Sequence, residues 1–167
     1  LLTQDFSIWL NASQPGHIQE FGSVDLAKVI EEALEVYTEI IDKKGIVIQQ
    51  VISTKFIHGD APMIKSVIRN LIDNAIKNTA SGSITITCRR HTNKEACEII
   101  IADEGIGMDP ERMEALNHFF QSGPDTLIFS ASGFGHKVIK DFLHKLGGAI
   151  AYRQNHPSGI IVTVTLP

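Results

Sequence analysis

The feature that most constrains the fold of this chain is the order in which two apolar periodicities follow one another. Apolar residues recur at spacings of three and four over 24–43, from Asp60 to about Thr79, and in a stretch that ends at Leu146, which predicts three amphipathic helices. Runs rich in β-branched residues lie between and after these helices and predict strands. These runs are 46–52, 56–58, 83–90, 96–102, 149–154 and 160–166.

Helices and strands do not alternate regularly in this order, which argues against a doubly wound parallel sheet. The pattern predicts an α+β fold, a two-layer α/β sandwich with a mixed, mostly antiparallel sheet. Each of the three helices has one apolar stripe, so we expect them to cover one face of the sheet and to leave the other face more exposed. After a short helix from Pro110, the periodicity fails between Leu116 and about His136, which is typical of a functional lid or binding loop.

The chain is long enough for one domain, and we place the start of that domain at residue 23. Of its 167 residues, 43% are apolar, which suffices for one hydrophobic core. Residues 1–22 combine Trp9, Pro15 and Gly16 with little periodicity. We interpret them as the end of a preceding helical element and a linker, outside the core of the domain at 23–167. Because the chain begins without a methionine, we expect it to be part of a longer protein.

Composition and charge argue against several classes of protein. The net charge of -4 and the absence of a basic run argue against nucleic-acid binding. No apolar stretch reaches the roughly 20 residues that cross a bilayer, and no signal peptide is evident. We therefore expect a cytoplasmic chain whose parent protein can be membrane-anchored through other segments. Cys88 and Cys97 lack the spacing of a metal site or a disulfide framework, so we expect two buried free thiols in a reducing compartment.

The second predicted helix carries polar residues at helical spacing. Asn70, Asn74 and Lys77 fall within about 60° of one another around the helix, beside an apolar sector that faces the core. Two asparagines lower the helix propensity, and a bound ligand would account for them. Amide oxygens suit Mg²⁺, and a lysine ammonium suits phosphate. A solvated polar stripe would have the same pattern, so this motif alone leaves both interpretations open.

Two glycine-containing turns have a composition that suits a nucleotide. Asp103 follows a predicted buried strand and precedes Gly105 and Gly107, so its carboxylate can accept from an exocyclic amine while the glycines let a planar base approach. An ordinary turn is the alternative. Gly133 and Gly135 open the third helix, where free backbone amides and the helix dipole favour a polyphosphate, and simple helix capping is the alternative.

The order of these three motifs around one long loop resembles the GHKL superfamily of gyrase, heat-shock chaperones, MutL and histidine kinases. Within it, the chain resembles the catalytic, ATP-binding domain of sensor histidine kinases from about residue 24 to Pro167. The segments that carry the resemblance are residues 70–77 (the N box), 103–108 (the first glycine box), Phe119 and Phe120 (the F box), 133–135 (the second glycine box), and the tail formed by 147–150 and 165–167.

The resemblance implies the GHKL fold and the binding of ATP with Mg²⁺. Asn70 and Asn74 would hold Mg²⁺ and phosphate oxygens, Lys77 would bind phosphate, and Asp103 would bind adenine, with residues 119–132 as the lid. Asn70 and Lys77 would act in catalysis. The ATP contacts that the resemblance implies are Asn70, Asn74, Lys77, Asp103, Gly105, Gly107, Met108, Phe120, Gly133, Phe134, Gly135 and His136.

Asn70 indicates which reaction the resemblance implies. In the hydrolytic branches a glutamate at this position activates water, whereas an amide cannot accept that proton. We therefore expect a protein histidine kinase that transfers the γ-phosphoryl group of ATP. None of the seven histidines precedes an acidic residue as in the phosphoacceptor motif, so we expect the acceptor on a separate dimerisation domain and this chain to be inactive alone. A homodimeric parent protein and a downstream response regulator would be its partners.

Several positions depart from the histidine kinase pattern. Asn78 replaces the aromatic residue that packs on the base, His136 replaces an aliphatic residue, and Ile160 replaces a threonine. The stretch 121–135 contains neither lysine nor arginine, so Lys137 is the candidate cation for the γ-phosphate. These departures leave open a second hypothesis, a degenerate module that serves as a signalling scaffold without turnover. A hydrolytic GHKL enzyme is a third, and Asn70 argues against it.

Overall fold

The computed structural model describes residues 2–93, 95–123 and 133–167. Within these ranges the helices are α1 Leu2–Ser13, α2 Leu26–Glu35, α3 Thr38–Lys44, α4 Ala61–Asn78, α5 Pro110–Gln121 and α6 Gly133–Leu146. The strands are β1 Phe21–Asp25, β2 Ile46–Ile52, β3 Phe56–Asp60, β4 Gly82–Arg90, β5 Cys97–Asp103, β6 Ala149–Gln154 and β7 Ile160–Leu166. None of the described helices is both long and apolar enough to span a bilayer.

Five strands form the main sheet, in the order β2-β4-β5-β7-β6. β2 runs parallel to β4, and the other neighbours pair antiparallel. The predicted α+β class with a mixed, mostly antiparallel sheet is thus confirmed. β1 and β3 form a separate two-stranded antiparallel sheet that the sequence pattern did not predict.

Helices α2, α4 and α6 pack in one layer on the main sheet, as predicted. α4 lies between the other two helices and contacts β5. The strands alternate buried and less buried residues, as a sheet with one covered face requires. In β4, for example, Ile84 and Ile86 are buried in the core, whereas Thr85 and Thr87 lie on the other face and are only half-buried.

The prediction of one helix over 24–43 is wrong in two places. Val24 belongs to strand β1, and the Asp25 carboxylate caps α2 by accepting a hydrogen bond from the backbone N–H of Lys28 at 3.2 Å. The helix is interrupted after Glu35, and Tyr37 precedes α3. Both interruptions lie inside an apolar spacing that is continuous along the sequence, so the spacing alone could not reveal them.

The irregular stretch expected after Leu116 begins later than predicted. Helix α5 continues to Gln121 and therefore includes Phe119 and Phe120. Most of the lid predicted at 119–132 lies outside the described residues, because these stop at Gly123 and resume at Gly133.

Helix α1 packs against α4 and α6, so the expectation that residues 1–22 lie outside the core is wrong for this helix. Ala12 is 2% exposed and Asp5 is 5% exposed. The ring of Trp9 lies 5.9 Å from that of Phe134 in α6. Aromatic and polar contacts hold the helix, which explains why an apolar stripe was not evident. The division of the chain after residue 22 stays a prediction.

Both cysteines are buried and free, as predicted. Burial raises the pKa of Cys88 to about 12 and also raises the pKa of Cys97. The two thiols are therefore protonated at neutral pH and part of the core.

Candidate functional site

Helix α4 presents the predicted polar stripe at the edge of the core. Its start is fixed as the sequence predicts, because the Asp60 carboxylate accepts a hydrogen bond from the backbone N–H of Met63 at 3.1 Å. Asn70 and Asn74 are half-buried and Lys77 is exposed. With a rise of 1.5 Å per residue, the part of the helix from Asn70 to Asn78 extends over about 12 Å.

Asn70 lies at the end of the stripe that faces α6. Its side-chain Nδ2 donates to the backbone carbonyl of Ser66 at 2.8 Å and to the carboxylate of Asp5 at 3.2 Å. Its Oδ1 lies toward Gly135 in α6, where an added Cβ would be only 2.9 Å from that oxygen. The structure therefore brings Asn70 and Gly135, predicted from two separate motifs, into direct proximity.

Lys77 is held on the surface of α4 by a neighbouring acid. Its Nζ lies 2.6 Å from Asp73 Oδ2, and the other oxygen of Asp73 accepts a hydrogen bond from the Tyr37 hydroxyl at 2.7 Å. Burial and this hydrogen bond raise the pKa of Tyr37. Neither Tyr37 nor Asp73 was predicted from the sequence, because Tyr37 fits the apolar spacing of its segment.

Asp103 ends strand β5 as a buried carboxylate with an exposure of 6%. Its Oδ1 accepts hydrogen bonds from the backbone N–H groups of Gly105 at 2.9 Å and Ile160 at 3.2 Å. Burial raises the pKa of this carboxyl group, and the two backbone donors oppose that shift. Among the described residues, Oδ2 has no hydrogen-bond partner and remains able to accept one.

The turn after β5 is joined to the end of α4. The backbone N–H of Ile106 donates to the Asn78 carbonyl at 3.1 Å, and an added Cβ on Gly105 would overlap the same carbonyl oxygen. Packing within the protein therefore by itself requires a glycine at position 105, whereas the approach of a planar base stays a prediction. Gly107 has a φ of +73°, a conformation that favours glycine.

An open cleft of 370 Å³ lies between this turn and the connection from β6 to β7. Met108 lines the cleft, and its carbonyl accepts a hydrogen bond from Gln154 Nε2. Asn155 also lines it and donates through Nδ2 to the Asp103 carbonyl at 2.8 Å. Gln154 and Asn155 lie beyond the motifs considered in the sequence, and no local pattern there indicates them.

Phe120 and His136 lie in an aromatic cluster with Tyr152. The rings of Phe120 and Tyr152 stack at 5.7 Å, and His136 contacts Phe120 edge-on at 6.0 Å. Burial lowers the pKa of His136, with a further contribution from Arg112. The cluster packs α5 and α6 on β6. Phe120 and His136, both predicted nucleotide contacts, therefore pack against other side chains of the protein.

The first turns of α6 face helix α1. The ring of Phe134 lies 5.7 Å from that of Phe6, and Gly133 is the first residue of the helix. Lys137, the candidate cation for the γ-phosphate, lies with its Nζ 2.6 Å from Asp141 Oδ1. The other Asp141 oxygen accepts a hydrogen bond from Trp9 Nε1 at 2.7 Å. The carboxylate that neutralises Lys137 therefore also anchors α1.

The sequence of this chain matches a known protein family. The profile of the family described as histidine kinase-, DNA gyrase B-, and HSP90-like ATPase matches residues 59–167, a range that contains α4, the turn after β5 and α6. The chain belongs to this family. The resemblance inferred from three motifs is thus confirmed. The matched range contains the polar stripe of α4, whose assignment as the N box stays a prediction.

The curated relatives that the chain matches include a histidine protein kinase and a sporulation kinase. The chain is 27% identical over 150 residues to the histidine protein kinase DivJ of Caulobacter vibrioides, covering 87% of the chain and 25% of that protein. It is 26% identical over 144 residues to Sporulation kinase B of Bacillus subtilis, covering 86% of the chain and 33% of that protein. The chain therefore spans a third or less of the length of these relatives.

Solved structures, among them that of a histidine kinase, have the same fold. The histidine kinase AdeS of Acinetobacter baumannii superposes with a TM-score of 0.72 at 23% identity, covering 98% of this chain and 74% of that one. Full-length ShkA, solved in complex with AMPPNP, gives a TM-score of 0.78 at 19% identity over 99% of this chain and 35% of that one. At these identities the likeness establishes the fold.

Residues outside the family match also contact the predicted site residues of α4. The match begins at residue 59, so it excludes helix α1 and also Tyr37, whose hydroxyl donates to Asp73 in α4. The carboxylate of Asp5 in α1 contacts Asn70 itself. The surroundings of the predicted N box therefore include residues that precede the family match.

Proposed function

We propose that this chain binds ATP together with Mg²⁺ and donates the γ-phosphoryl group to a histidine on a dimerisation domain of its parent protein. The observation that carries the proposal is the position of α4 between two groups that suit the two ends of a nucleotide. The Asn78 end of this helix contacts the turn that follows Asp103, and Asn70, in the middle of the helix, faces the start of α6.

The end near Asp103 suits adenine. A buried carboxylate with one oxygen saturated by Gly105 and Ile160 leaves Oδ2 as an acceptor for the exocyclic amine of the base. The adjacent open cleft is lined by Gly107 and Met108. Because Gly107 has no side chain, its backbone groups are open to a ligand in the cleft. This donor and acceptor pattern supports the proposed preference for adenine.

The end near Asn70 suits a hydrated metal ion and phosphate. Asn70 Oδ1 is directed toward α6, and the glycine at position 135 leaves room beside it that a Cβ would fill. Mg²⁺ prefers oxygen ligands and usually binds through few protein groups together with substrate phosphates, which fits the amide oxygens of Asn70 and Asn74. When bound, the ion would neutralise charge on the phosphate oxygens.

The residues at the proposed phosphate end of the site favour phosphoryl transfer over hydrolysis. An imidazole nitrogen of the acceptor attacks the γ-phosphorus, the bond to the bridging oxygen of the β-phosphate breaks, and ADP leaves. Asn70 has no basic group that could activate water, so its contribution is to hold the phosphates in line. Lys77 would add a positive charge beside the phosphates once its ammonium turns away from Asp73.

The proposed partners follow from this reaction. These partners are a dimerisation domain with the acceptor histidine, a homodimeric parent protein and a downstream response regulator. They are supported by relatives named as a histidine protein kinase and a sensor kinase, of which this chain matches only a part. No partner in the form of nucleic acid is proposed, because the chain has a net charge of -4. A cytoplasmic location also stays a prediction.

A degenerate signalling scaffold is the second candidate, and two observations favour it. Asn78 Nδ2 donates back to the Asn74 carbonyl at 2.8 Å, so the residue that replaces the usual aromatic is bound to its own helix. Phe120 and His136 contact each other in the cluster around Tyr152. In this case the chain would bind partners without turnover.

Nucleotide binding and phosphotransfer separate the two candidates. Calorimetric titration of the chain with a hydrolysis-resistant ATP analogue, with and without Mg²⁺, tests binding. Incubation with γ-labelled ATP and the histidine-bearing domain of the parent protein tests transfer, detected as acid-labile phosphate. We expect Mg²⁺-dependent binding and labelled acceptor. Binding without transfer would support the scaffold, and the lack of both would refute the kinase proposal.

A further inference from the structure

Helix α1 contributes one carboxylate to the surroundings of the N box. Asp5 is 5% exposed and lies against α4. Its Oδ1 accepts from the Ser66 hydroxyl at 2.7 Å and pairs with the Arg69 guanidinium, while its Oδ2 accepts from Asn70 Nδ2 at 3.2 Å. Because Arg69 balances its charge, Asp5 is held as a buried, fully engaged acceptor.

The neighbours of the Asn70 amide permit only one orientation. Its Nδ2 faces the Ser66 carbonyl at 2.8 Å and the Asp5 carboxylate at 3.2 Å. Both of these groups only accept hydrogen bonds, so a flipped amide would set its oxygen against two acceptors. The network therefore directs Asn70 Oδ1 away from α1, toward Gly135 at the start of α6.

We infer that Asp5 is a positioning residue for the metal ligand Asn70. By occupying the donor side of the amide, it turns the oxygen side toward the metal, so the helix that precedes the family match sets the Mg²⁺ affinity of the site. The inference rests on the proposed function, since it assumes that Asn70 binds Mg²⁺.

The structure separates this role from simple anchoring of the helix. α1 is also fixed by the hydrogen bond from Trp9 Nε1 to Asp141 and by its ring contact with Phe134. These contacts do not involve Asn70, so α1 has a means of staying docked when the Asp5 carboxylate is altered.

Asp5→Asn is the sharpest test because it keeps the shape of the side chain. The remaining oxygen is retained by Ser66 and Arg69, which places the new NH₂ group opposite Asn70 Nδ2, donor against donor. The amide of Asn70 then loses its orientation. Asp5→Ala removes the acceptor altogether and provides a second variant with the same expected direction.

The matched control is Ser66→Ala. It removes a hydrogen bond to the same carboxylate but leaves the Ser66 carbonyl and the contact between Asp5 and Asn70 in place. A loss that follows from weaker packing of α1 would appear in this variant as well.

The experiment measures binding of a hydrolysis-resistant ATP analogue by the whole chain over a series of Mg²⁺ concentrations. We expect Asp5→Asn and Asp5→Ala to raise the half-saturating Mg²⁺ concentration about tenfold, as loss of a ligand's hydrogen-bond partner does. Metal-free binding should not weaken, and Ser66→Ala should match the wild type. An unchanged Mg²⁺ requirement in Asp5→Asn, or an equal rise in Ser66→Ala, would overturn the inference.

A second readout requires no nucleotide. The side-chain ¹H–¹⁵N signals of Asn70, assigned by their absence in Asn70→Asp, should shift in Asp5→Asn and stay in place in Ser66→Ala. Signals that do not respond to Asp5→Asn contradict the proposed contact. If these signals respond but the wild type binds no nucleotide, the proposed function fails and the metal role of Asp5 fails with it, whereas the contact itself stands.

Discussion

Replacing Asp103 by asparagine should exchange the base preference of the site. Oδ1 of the native carboxylate accepts from Gly105 and Ile160, at 2.9 and 3.2 Å, so the amide oxygen of the variant will take that place. Its NH₂ group then occupies the position of Oδ2. A donor faces the exocyclic amine of adenine, which is also a donor, whereas the wild type presents an acceptor there.

The magnitude follows from the loss of one charge-assisted hydrogen bond. Such a bond contributes about 1.5–3 kcal/mol, and about 1.4 kcal/mol corresponds to a factor of ten. Affinity for an ATP analogue should therefore fall about 10- to 150-fold. Inosine triphosphate carries an oxygen in place of the amine, so it should bind the variant better than the wild type.

Titration calorimetry with both nucleotides on both proteins measures this exchange. Glu104→Gln is the matched control, because Glu104 is the adjacent acid and also accepts a backbone hydrogen bond, from Ser83 at 2.7 Å, yet it is exposed. It should leave both affinities unchanged. If Asp103→Asn keeps the affinity for ATP, or loses both nucleotides equally, Asp103 does not contact the base.

The same variant has a pH signature in the absence of nucleotide. Burial raises the pKa of Asp103 in the folded chain, so the folded state binds the proton more tightly than the unfolded state. Ionisation therefore lowers the stability of the wild type as pH rises from the unfolded pKa, about 4, through the raised folded value. The free energy of unfolding of Asp103→Asn relative to wild type should increase over that window and then level off.

Three further predictions concern packing. Gly135→Ala places a Cβ 2.9 Å from Asn70 Oδ1, so calorimetry should show Mg²⁺-dependent nucleotide binding weakened roughly tenfold, with no loss of melting temperature, since alanine favours helix by about 1 kcal/mol. Gly105→Ala overlaps the Asn78 carbonyl and should lower the free energy of unfolding in urea by about 1–3 kcal/mol. Cys88, with a pKa of about 12, should react with iodoacetamide only when the chain unfolds.

Each of these has an internal comparison. Gly22→Ala should be mild beside Gly105→Ala, because an added Cβ there meets nothing within 4 Å. A Gly105→Ala chain as stable as Gly22→Ala would contradict the packing argument. Equal nucleotide affinity in Gly135→Ala and wild type would show that Asn70 Oδ1 is not at the metal. Fast alkylation of Cys88 in the native chain would mean that the sheet opens locally.

Local signals in the sequence predicted much of the fold. Asp60 and Pro62 mark the start of α4, and the apolar spacing that follows marks its buried face. The hairpins of β4 with β5 and β6 with β7 follow from neighbouring β-branched runs. These elements are determined by residues close together in the chain, so a pattern along the sequence contains the information that specifies them.

Contacts between distant residues account for what the sequence did not reveal. Tyr37 fits an apolar spacing along the sequence, yet its hydroxyl donates a hydrogen bond to Asp73 in helix α4. Asp5 lies in a segment without clear periodicity, and its partners follow it by more than 60 positions. A hydrogen bond between such residues leaves no periodic trace, because nothing in the intervening chain has to change with it.

The same arrangement occurs at both ends of the proposed site: hydrogen bonds hold one half of a nearly symmetric polar group. Sequence motifs predict the residues that carry these groups, but they do not contain the hydrogen bonds that orient them. Asp103 has one oxygen saturated by the backbone donors of Gly105 and Ile160, and Asn70 has its NH₂ group saturated by Ser66 and Asp5. In each case, the hydrogen bonds to one half of the carboxylate or amide orient its other half toward the proposed ligand. Three of the four fixing groups are backbone atoms, which any residue type supplies. The fourth group is the side chain of Asp5. Among these four groups, it is therefore the one that a substitution can remove, which would change the orientation of Asn70 without changing Asn70 itself.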